Sequence, residues 1–267
     1  MTPPATPVVF VHGLWLHSTS WQPWVDLFAE RGYAPVAPPW PGEPPTAEEA
    51  RRDPAPMGGY GVGEVADAYA DVIAALPAKP IVVGHSFGGL IAQVLLGRGL
   101  ADAAIGIDAA PIKGVLTLPV SSLKVASIAL RSPANRKGTV ALTPEQFRFG
   151  FTNTRTDAES ADLYERAAMP SPGRPLFQAA TANFAPHAAT MVDLRNSHRG
   201  PLLLTAGGQD HTVPAAVSEA TYKLHAKRSS AVTEIKRYPD RDHSLAINSD
   251  WREIAEDCLT WLQQQGR

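Results

Sequence analysis

The chain has 267 residues, of which 44% are hydrophobic, so it can bury a substantial core in one or two domains. Lysine and arginine total 24 and aspartate and glutamate total 26, which leaves a net charge near -2 and no strong field for nucleic acid or an anionic membrane. The single cysteine, Cys258, excludes an internal disulfide and a cysteine-rich metal site. We therefore expect no bound metal, no cofactor and no nucleic-acid partner, and the composition leaves the oligomeric state open.

The N-terminal stretch lacks the basic region and the long apolar run of a secretory signal. No window approaches the ~20 apolar residues that a membrane helix needs, so we expect no membrane insertion. Together with the lone cysteine, these features predict a soluble protein of a reducing compartment, which we take to be the cytoplasm.

Short apolar runs rich in valine and isoleucine predict six β-strands. They cover residues 8–11, 35–38, 81–83, 104–107, 202–205 and 232–237. Segments with helical spacing lie between most of them, at residues 20–31, 63–75, 88–99, 215–226 and 250–264. Apolar strands that alternate with helices are typical of an α/β fold, a parallel sheet covered by helices on both faces.

One long interval separates the fourth predicted strand from the fifth. Residues 113–186 are helical in pattern, and Thr143, Pro144 and Gln146 fit a helix start with a capping residue, a proline and a reciprocal glutamine. A connection this long is seldom plain loop. We expect a helical cap at 113–186 inserted into one catalytic core formed by 1–112 and 187–267, and a long surface loop at 38–56.

The segment PIVVGHSFGG, residues 80–89, combines a buried strand with a run of small residues. Gly84, Ser86 and Gly88 form a Gly-x-Ser-x-Gly pattern where the strand meets the next helix. Bulky neighbours would collide at such a sharp turn, and the turn exposes the serine oxygen at the carboxyl edge of the sheet. Ser86 is therefore the candidate nucleophile.

A serine hydroxyl needs a base, and the base needs an orienting carboxylate. Asp210 follows the fifth predicted strand and His243 follows the sixth, so both reach the same sheet edge as the serine. Asp108 ends the fourth strand and is the competing acid, while His211 is a rival base one strand too early. We interpret Asp240 and Asp242 as exposed loop charges.

These stretches resemble the α/β-hydrolase family over nearly the whole chain. The resemblance matches the serine turn at 84–88, an acid loop at 207–214, a histidine loop at 242–244 and an oxyanion loop within 8–15. It implies an α/β-hydrolase fold with a mostly parallel sheet of about six strands and a helical cap, in which the first antiparallel hairpin is missing or reduced. It also implies oxyanion donors at the backbone N–H groups of Leu14 and Phe87.

The resemblance implies a serine esterase that cleaves a carboxylic ester through an acyl-enzyme, with Ser86, His243 and Asp210 as the triad. Amide, lactone, perhydrolase and lyase chemistry remain alternatives for the same triad. Lyase chemistry is disfavoured because Ser244 stands where the hydroxynitrile lyases similar to this family carry a lysine. A ligand-binding receptor on the same scaffold is the alternative from another class, and slow or single turnover would distinguish it.

The expected substrate is a moderately hydrophobic small-molecule ester. The candidate pocket residues are Trp15, Phe147 and Phe151, although the two phenylalanines could equally form the core of the cap. His12 has no partners at metal-ligand spacing, and we expect its ring to fix the oxyanion loop by hydrogen bonds. His85, next to the serine, is expected to pack beneath the turn.

Overall fold

The architecture was analysed in a computed structural model that describes residues 5–267. Its main sheet has six strands in the order β2-β1-β3-β4-β7-β8, and every pairing in it is parallel. A second sheet pairs β5 with β6 in antiparallel fashion. The strands are β1 Pro7–Val11, β2 Ala34–Val36, β3 Ile81–His85, β4 Ala103–Ile107, β5 Thr139–Val140, β6 Ser171–Pro172, β7 Leu202–Gly207 and β8 Thr233–Tyr238.

Helices follow most strands of the main sheet, as the alternating pattern predicts. The α-helices are α1 Gln22–Glu30, α2 Ala47–Arg52, α3 Val62–Ala74, α4 Phe87–Gly97, α5 Val120–Leu130, α6 Pro144–Gly150, α7 Asp157–Ala167, α8 Arg174–Thr181, α9 Ala215–Arg228 and α10 Trp251–Gln264. The predicted six-stranded parallel sheet and the α/β class are therefore confirmed.

The four central strands β1, β3, β4 and β7 are buried at every residue. Strand β8 lies at one edge, and its burial is only partial. Helix α4, which begins directly after β3, is also buried along its whole length. Because all six strands point the same way, the loops after β3, β4, β7 and β8 meet at one edge of the sheet.

The interval between β4 and β7 carries four helices, α5 to α8, and the small β5–β6 sheet. Thr143 and Gln146 form the reciprocal capping hydrogen bonds that begin α6, as their spacing predicts. The helical content expected of the cap segment, residues 113–186, is thus present. Its assignment as a cap on a single catalytic domain stays a prediction at this point.

The proline-rich interval 38–56 is more ordered than a plain loop. It contains α2, and the side chain of Thr46 caps that helix by accepting a hydrogen bond from Glu49 N–H. The signal was present in the sequence, because a threonine followed three residues later by a glutamate is a common helix start. Within the part of the chain that the structure describes, no helix is long and apolar enough to cross a membrane.

Candidate active site

Ser86 lies between β3 and α4 in a backbone conformation that side chains rarely adopt. Its φ is 56° and its ψ is -120°. A Cβ on Gly84 would lie 2.1 Å from the carbonyl oxygen of Gly88, and a Cβ on Gly88 would lie 2.0 Å from the carbonyl oxygen of Val11. Both glycines are therefore required by the close approach of the backbone, which keeps Ser86 at the carboxyl end of β3.

His243 and Asp210 form a buried pair in the loops after β8 and β7. Their closest atoms are Nδ1 of the histidine and Oδ2 of the aspartate, 2.6 Å apart, and both side chains are 0% exposed. Since the carboxylate accepts, Nδ1 carries the proton and the lone pair lies on Nε2. Burial lowers the pKa of His243 below its usual range, so the ring is neutral near pH 7 and its Nε2 can act as a base.

His85 connects the serine turn to the histidine loop. Its Nε2–H donates to the carbonyl oxygen of His243 at 2.9 Å, and the two rings lie 4.5 Å apart. Nε2 of His243 is buried and has no hydrogen-bond partner among residues 5–267. The base nitrogen is therefore not bonded to the Ser86 hydroxyl here, although His85 holds the two loops next to each other.

The loop after β1 packs directly on the serine. A Cβ on Gly13 would lie 2.7 Å from Cβ of Ser86 and 3.4 Å from its Oγ. The backbone N–H groups of Leu14 and Phe87 donate no hydrogen bond to another group of the described residues. Phe87 N–H also belongs to the first turn of α4, whose dipole favours negative charge. The role of these two N–H groups as oxyanion donors stays a prediction.

A buried carboxylate from the 38–56 segment holds this loop from below. Glu43 lies 2.8 Å from Nε2 of His12 and 3.3 Å from Nε2 of His17, and its side chain is 0% exposed. His12 also reaches the carbonyl oxygen of Gly13 through Nδ1 at 2.9 Å. Burial would raise the pKa of Glu43, but the neighbouring histidines and the N–H of Ser18 outweigh burial and lower that pKa to about 2. His12 has the structural contacts expected of it, whereas the sequence analysis did not identify Glu43.

The cap segment contacts both loops that flank Ser86. Trp15 N–H donates to the Ser171 hydroxyl at 2.6 Å, which ties the oxyanion loop to β6. On the other side, the N–H and hydroxyl of Thr154 donate to Oδ2 of Asp242 at 2.9 and 2.6 Å. The expectation that Asp242 is an exposed charge is wrong, because the residue is 0% exposed and also accepts two hydrogen bonds from Ser244.

An apolar cavity of about 130 Å³ opens in front of Ser86. It is enclosed by the sheet edge on one side and by α5 and α8 of the cap segment on the other, and Trp15 forms part of its wall. Phe147 and Phe151 lie outside it. They are 0% exposed and stack on each other at 4.9 Å, and Phe151 packs edge-on against the His243 ring at 4.8 Å. The two phenylalanines thus belong to the buried core of the 113–186 segment, and Phe151 packs against the histidine.

The two competing residues lie in different places. Nδ1–H of His211 donates to the carbonyl oxygen of Phe149 at 2.9 Å, and His211 takes no part in the carboxylate pair. Asp108 lies next to the pair, and its carboxylate, that of Asp210 and the His243 ring have ligand atoms within 4.8 Å of one another. Oδ1 of Asp108 accepts hydrogen bonds from Thr205 and Gly207, and Oδ1 of Asp210 accepts from Thr212 and Val213.

Comparison with known proteins gives the same class as the fold and the site. A sequence model of the alpha/beta hydrolase family matches residues 8–257. The chain therefore belongs to the alpha/beta hydrolase family. No curated protein matches it by sequence.

Several solved structures share the fold over almost their whole length. One is an extracellular alpha/beta-hydrolase from a Paenibacillus species, with 19% identity, a TM-score of 0.67 and coverage of 96% of this chain and 98% of that chain. A monoacylglycerol lipase from Paleococcus ferrophilus has the same identity and TM-score, with coverage of 98% and 96%. A methylesterase from Arabidopsis has 16% identity and a TM-score of 0.65, with coverage of 97% and 99%. At these identities the likeness establishes the fold.

Proposed function

We propose that this hydrolase cleaves carboxylic esters through an acyl-enzyme, with Ser86 as nucleophile, His243 as general base and acid, and Asp210 as the carboxylate that orients the imidazole. The observation that carries the proposal is the buried Asp210–His243 pair, which reaches the same sheet edge as a serine held in a strained turn. Structural neighbours that are esterases and lipases support the same reading.

The mechanism uses Nε2 of His243 and two backbone N–H groups that form no other hydrogen bond within residues 5–267. Ser86 Oγ attacks the ester carbonyl carbon while Nε2 of His243 takes the hydroxyl proton. The N–H groups of Leu14 and Phe87 then stabilise the oxyanion of the tetrahedral intermediate. The protonated imidazole gives its proton to the leaving alcohol, and a water activated by Nε2 releases the acid. Losing one such donor typically raises the barrier by about 3 kcal/mol.

The shape of the cavity supports a moderately hydrophobic substrate. Apolar side chains of the cap segment, among them Leu118, Leu123 and Val125, face Ser86 across the cavity. In this assignment the segment 113–186 is a cap that excludes water, and Trp15 lies in the substrate pocket. A charged acyl group would lose its hydration there without finding an opposite charge in the lining.

Lyase chemistry finds no support in the residue after the histidine. Ser244 is 0% exposed, and its hydroxyl donates to Asp242 at 2.6 Å, so this position supplies no cation to the cavity.

The proposed location is the cytoplasm, because the buried Cys258 is an unpaired thiol.

A panel of chromogenic esters with graded acyl length tests the proposal. We expect steady multiple turnover by the wild type and loss of activity to near background in Ser86→Ala. Ser218→Ala is the matched control, because Ser218 is similarly buried, at 2% against 3% exposed, but lies on α9 away from the cavity. Turnover that survives Ser86→Ala would contradict the mechanism, and a single turnover with a stable adduct would favour a receptor.

A further inference from the structure

Two carboxyl groups share the buried space beyond β4 and β7. Asp108 follows β4 and Asp210 follows β7, and both residues are buried. Their oxygens and a ring nitrogen of His243 lie within 4.8 Å of one another. Two carboxylates this close and out of water cannot both stay ionised, because their repulsion is not screened. One of the two groups must therefore hold a proton, unless a cation lies between them.

Asp210 has the hydrogen-bond partners of an anion. Its Oδ1 accepts from the N–H groups of Thr212 and Val213, both at 2.7 Å, and its Oδ2 accepts from Nδ1 of His243 at 2.6 Å. Burial raises the pKa of Asp210 to about 7, and the hydrogen bonds from Asp108, Val213 and Thr212 keep it from rising further. Three protein donors in addition to Asp108 make this group the better place for the negative charge.

Asp108 has a different set of partners on its two oxygens. Oδ1 accepts from the Thr205 hydroxyl and from Gly207 N–H, both at 3.0 Å. Oδ2 is buried and has no donor among residues 5–267. Gly207 leaves room for this oxygen, since a Cβ there would lie 2.7 Å from it. Asp108 is within hydrogen-bond reach of Asp210, and a proton on the oxygen without a donor would satisfy both groups.

The charges around the two carboxyl groups also favour a proton on Asp108. Neither Asp108 nor Asp210 pairs with a lysine or arginine within the described part of the chain. The other titratable groups that act on them are His243 and Asp242. The charge of Asp242 raises the pKa of Asp210. Burial, followed by the charge of Asp210, raises the pKa of Asp108 well above its usual range.

We propose that Asp108 carries a proton on Oδ2 and donates it in a hydrogen bond to the Asp210 carboxylate, which makes Asp108 a positioning residue for the acid of the triad. This fourth member stabilises the anion of Asp210 and reduces its basicity. The proton shared with His243 then stays on Nδ1, and Nε2 keeps its lone pair for the serine. The inference rests on the proposed function for its kinetic test and on the geometry alone for its spectroscopic test.

The kinetic test compares two substitutions across a pH series of kcat/KM. Asp108→Gly removes the donor and suits the positive φ of 41° at this position, so it adds no backbone strain. We expect kcat to fall by about tenfold or more. The acid limb of the pH profile of kcat/KM should move up by about one pH unit, because Asp210 binds a proton more readily. Asp108→Asn keeps a neutral donor and an acceptor, and we expect it to restore both values towards the wild type.

Four kinetic results would overturn the inference. One is an Asp108→Asn variant that behaves like Asp108→Gly. Another is an acid limb of the Asp108→Asn pH profile that moves down by about one pH unit or more, as loss of an ionised carboxylate requires. An Asp108→Gly variant identical to the wild type would show that the donor has no positioning effect. Inhibition of the wild type by a chelator would place a cation, not a proton, between the carboxyl groups.

The spectroscopic test does not depend on turnover. Infrared difference spectra of the wild type against Asp108→Asn at pH 7 should contain the C=O stretch of one protonated carboxylic acid, shifted by exchange into D2O. If the ester panel shows no activity, this band still decides the inference about the proton. A difference spectrum without such a band would contradict it.

Discussion

The Glu43 carboxylate gives a prediction whose size follows from the structure. Its side chain is 0% exposed and lies 2.8 Å from His12, at the base of the loop that packs on Ser86. The ordinary pKa of 4.5 is lowered to about 2 in the folded protein, with burial opposing and the histidines favouring the anion. That difference corresponds to roughly 3 kcal/mol of stability, since one pH unit is worth about 1.4 kcal/mol.

Glu43→Gln should therefore lower the free energy of unfolding by about 3 kcal/mol at pH 7, measured by urea denaturation. The sign of the pH dependence follows from a folded pKa below the unfolded one. The advantage of the wild type is complete above about pH 4.5 and is lost as the pH falls towards 2. The difference between the two proteins should thus shrink steadily when the same titration is repeated at lower pH.

A matched control is Glu48→Gln. Glu48 is 75% exposed and pairs with Arg52 one turn away on α2, so its loss should change stability by less than about 0.5 kcal/mol. We also expect Glu43→Gln to lower kcat more than it changes KM, because the oxyanion loop loses its support. A Glu43 variant as stable as the control at neutral pH, or a difference that grows on acidification, would refute the reasoning.

Two further predictions concern the turn that holds the serine. Ser86→Gly should be more stable than Ser86→Ala by about 1 kcal/mol in urea unfolding, because only glycine relaxes at a φ of 56°, and equal stabilities would show that the turn is not strained. Gly88→Ala should lose about 3 kcal/mol or fail to fold, because its Cβ would lie 2.0 Å from the carbonyl oxygen of Val11, and a native melting temperature would contradict that close contact.

Local sequence patterns predicted the sheet because each central strand is buried on both faces. Runs such as 81–83 and 202–205 are apolar throughout, which is typical of a parallel sheet covered by helices. The role of the glycines beside Ser86 can also be predicted from the sequence, since a tight strand-to-helix turn needs them. The apolar runs and the Gly-x-Ser-x-Gly spacing are patterns of nearby residues, so the sequence alone reveals them.

Contacts between distant segments explain what the sequence analysis missed. Asp242 is buried because Thr154, 88 residues away in the cap segment, donates two hydrogen bonds to it. Glu43 lies in a proline-rich stretch that reads as surface, and only the fold brings it to His12. A buried charge is stable only when partners arrive from elsewhere, and a local pattern does not contain those partners.

Asp108 also shows what the sequence alone does not determine. Its position in the sequence makes Asp108 an alternative to Asp210 as the acid of the triad, because both residues follow strands of the same sheet. The structure places the two side by side, with the histidine bonded to Asp210. Competing candidates at one sheet edge can therefore be neighbours with separate roles.

Covalent labelling with a fluorophosphonate, followed by peptide mass spectrometry, tests the central claim most directly. We expect one label per chain, on Ser86, with no label in Ser86→Ala and labelling of His243→Ala slowed by about a thousandfold. Labelling at another residue, or a His243→Ala variant that reacts at the wild-type rate, would contradict a serine activated by this histidine.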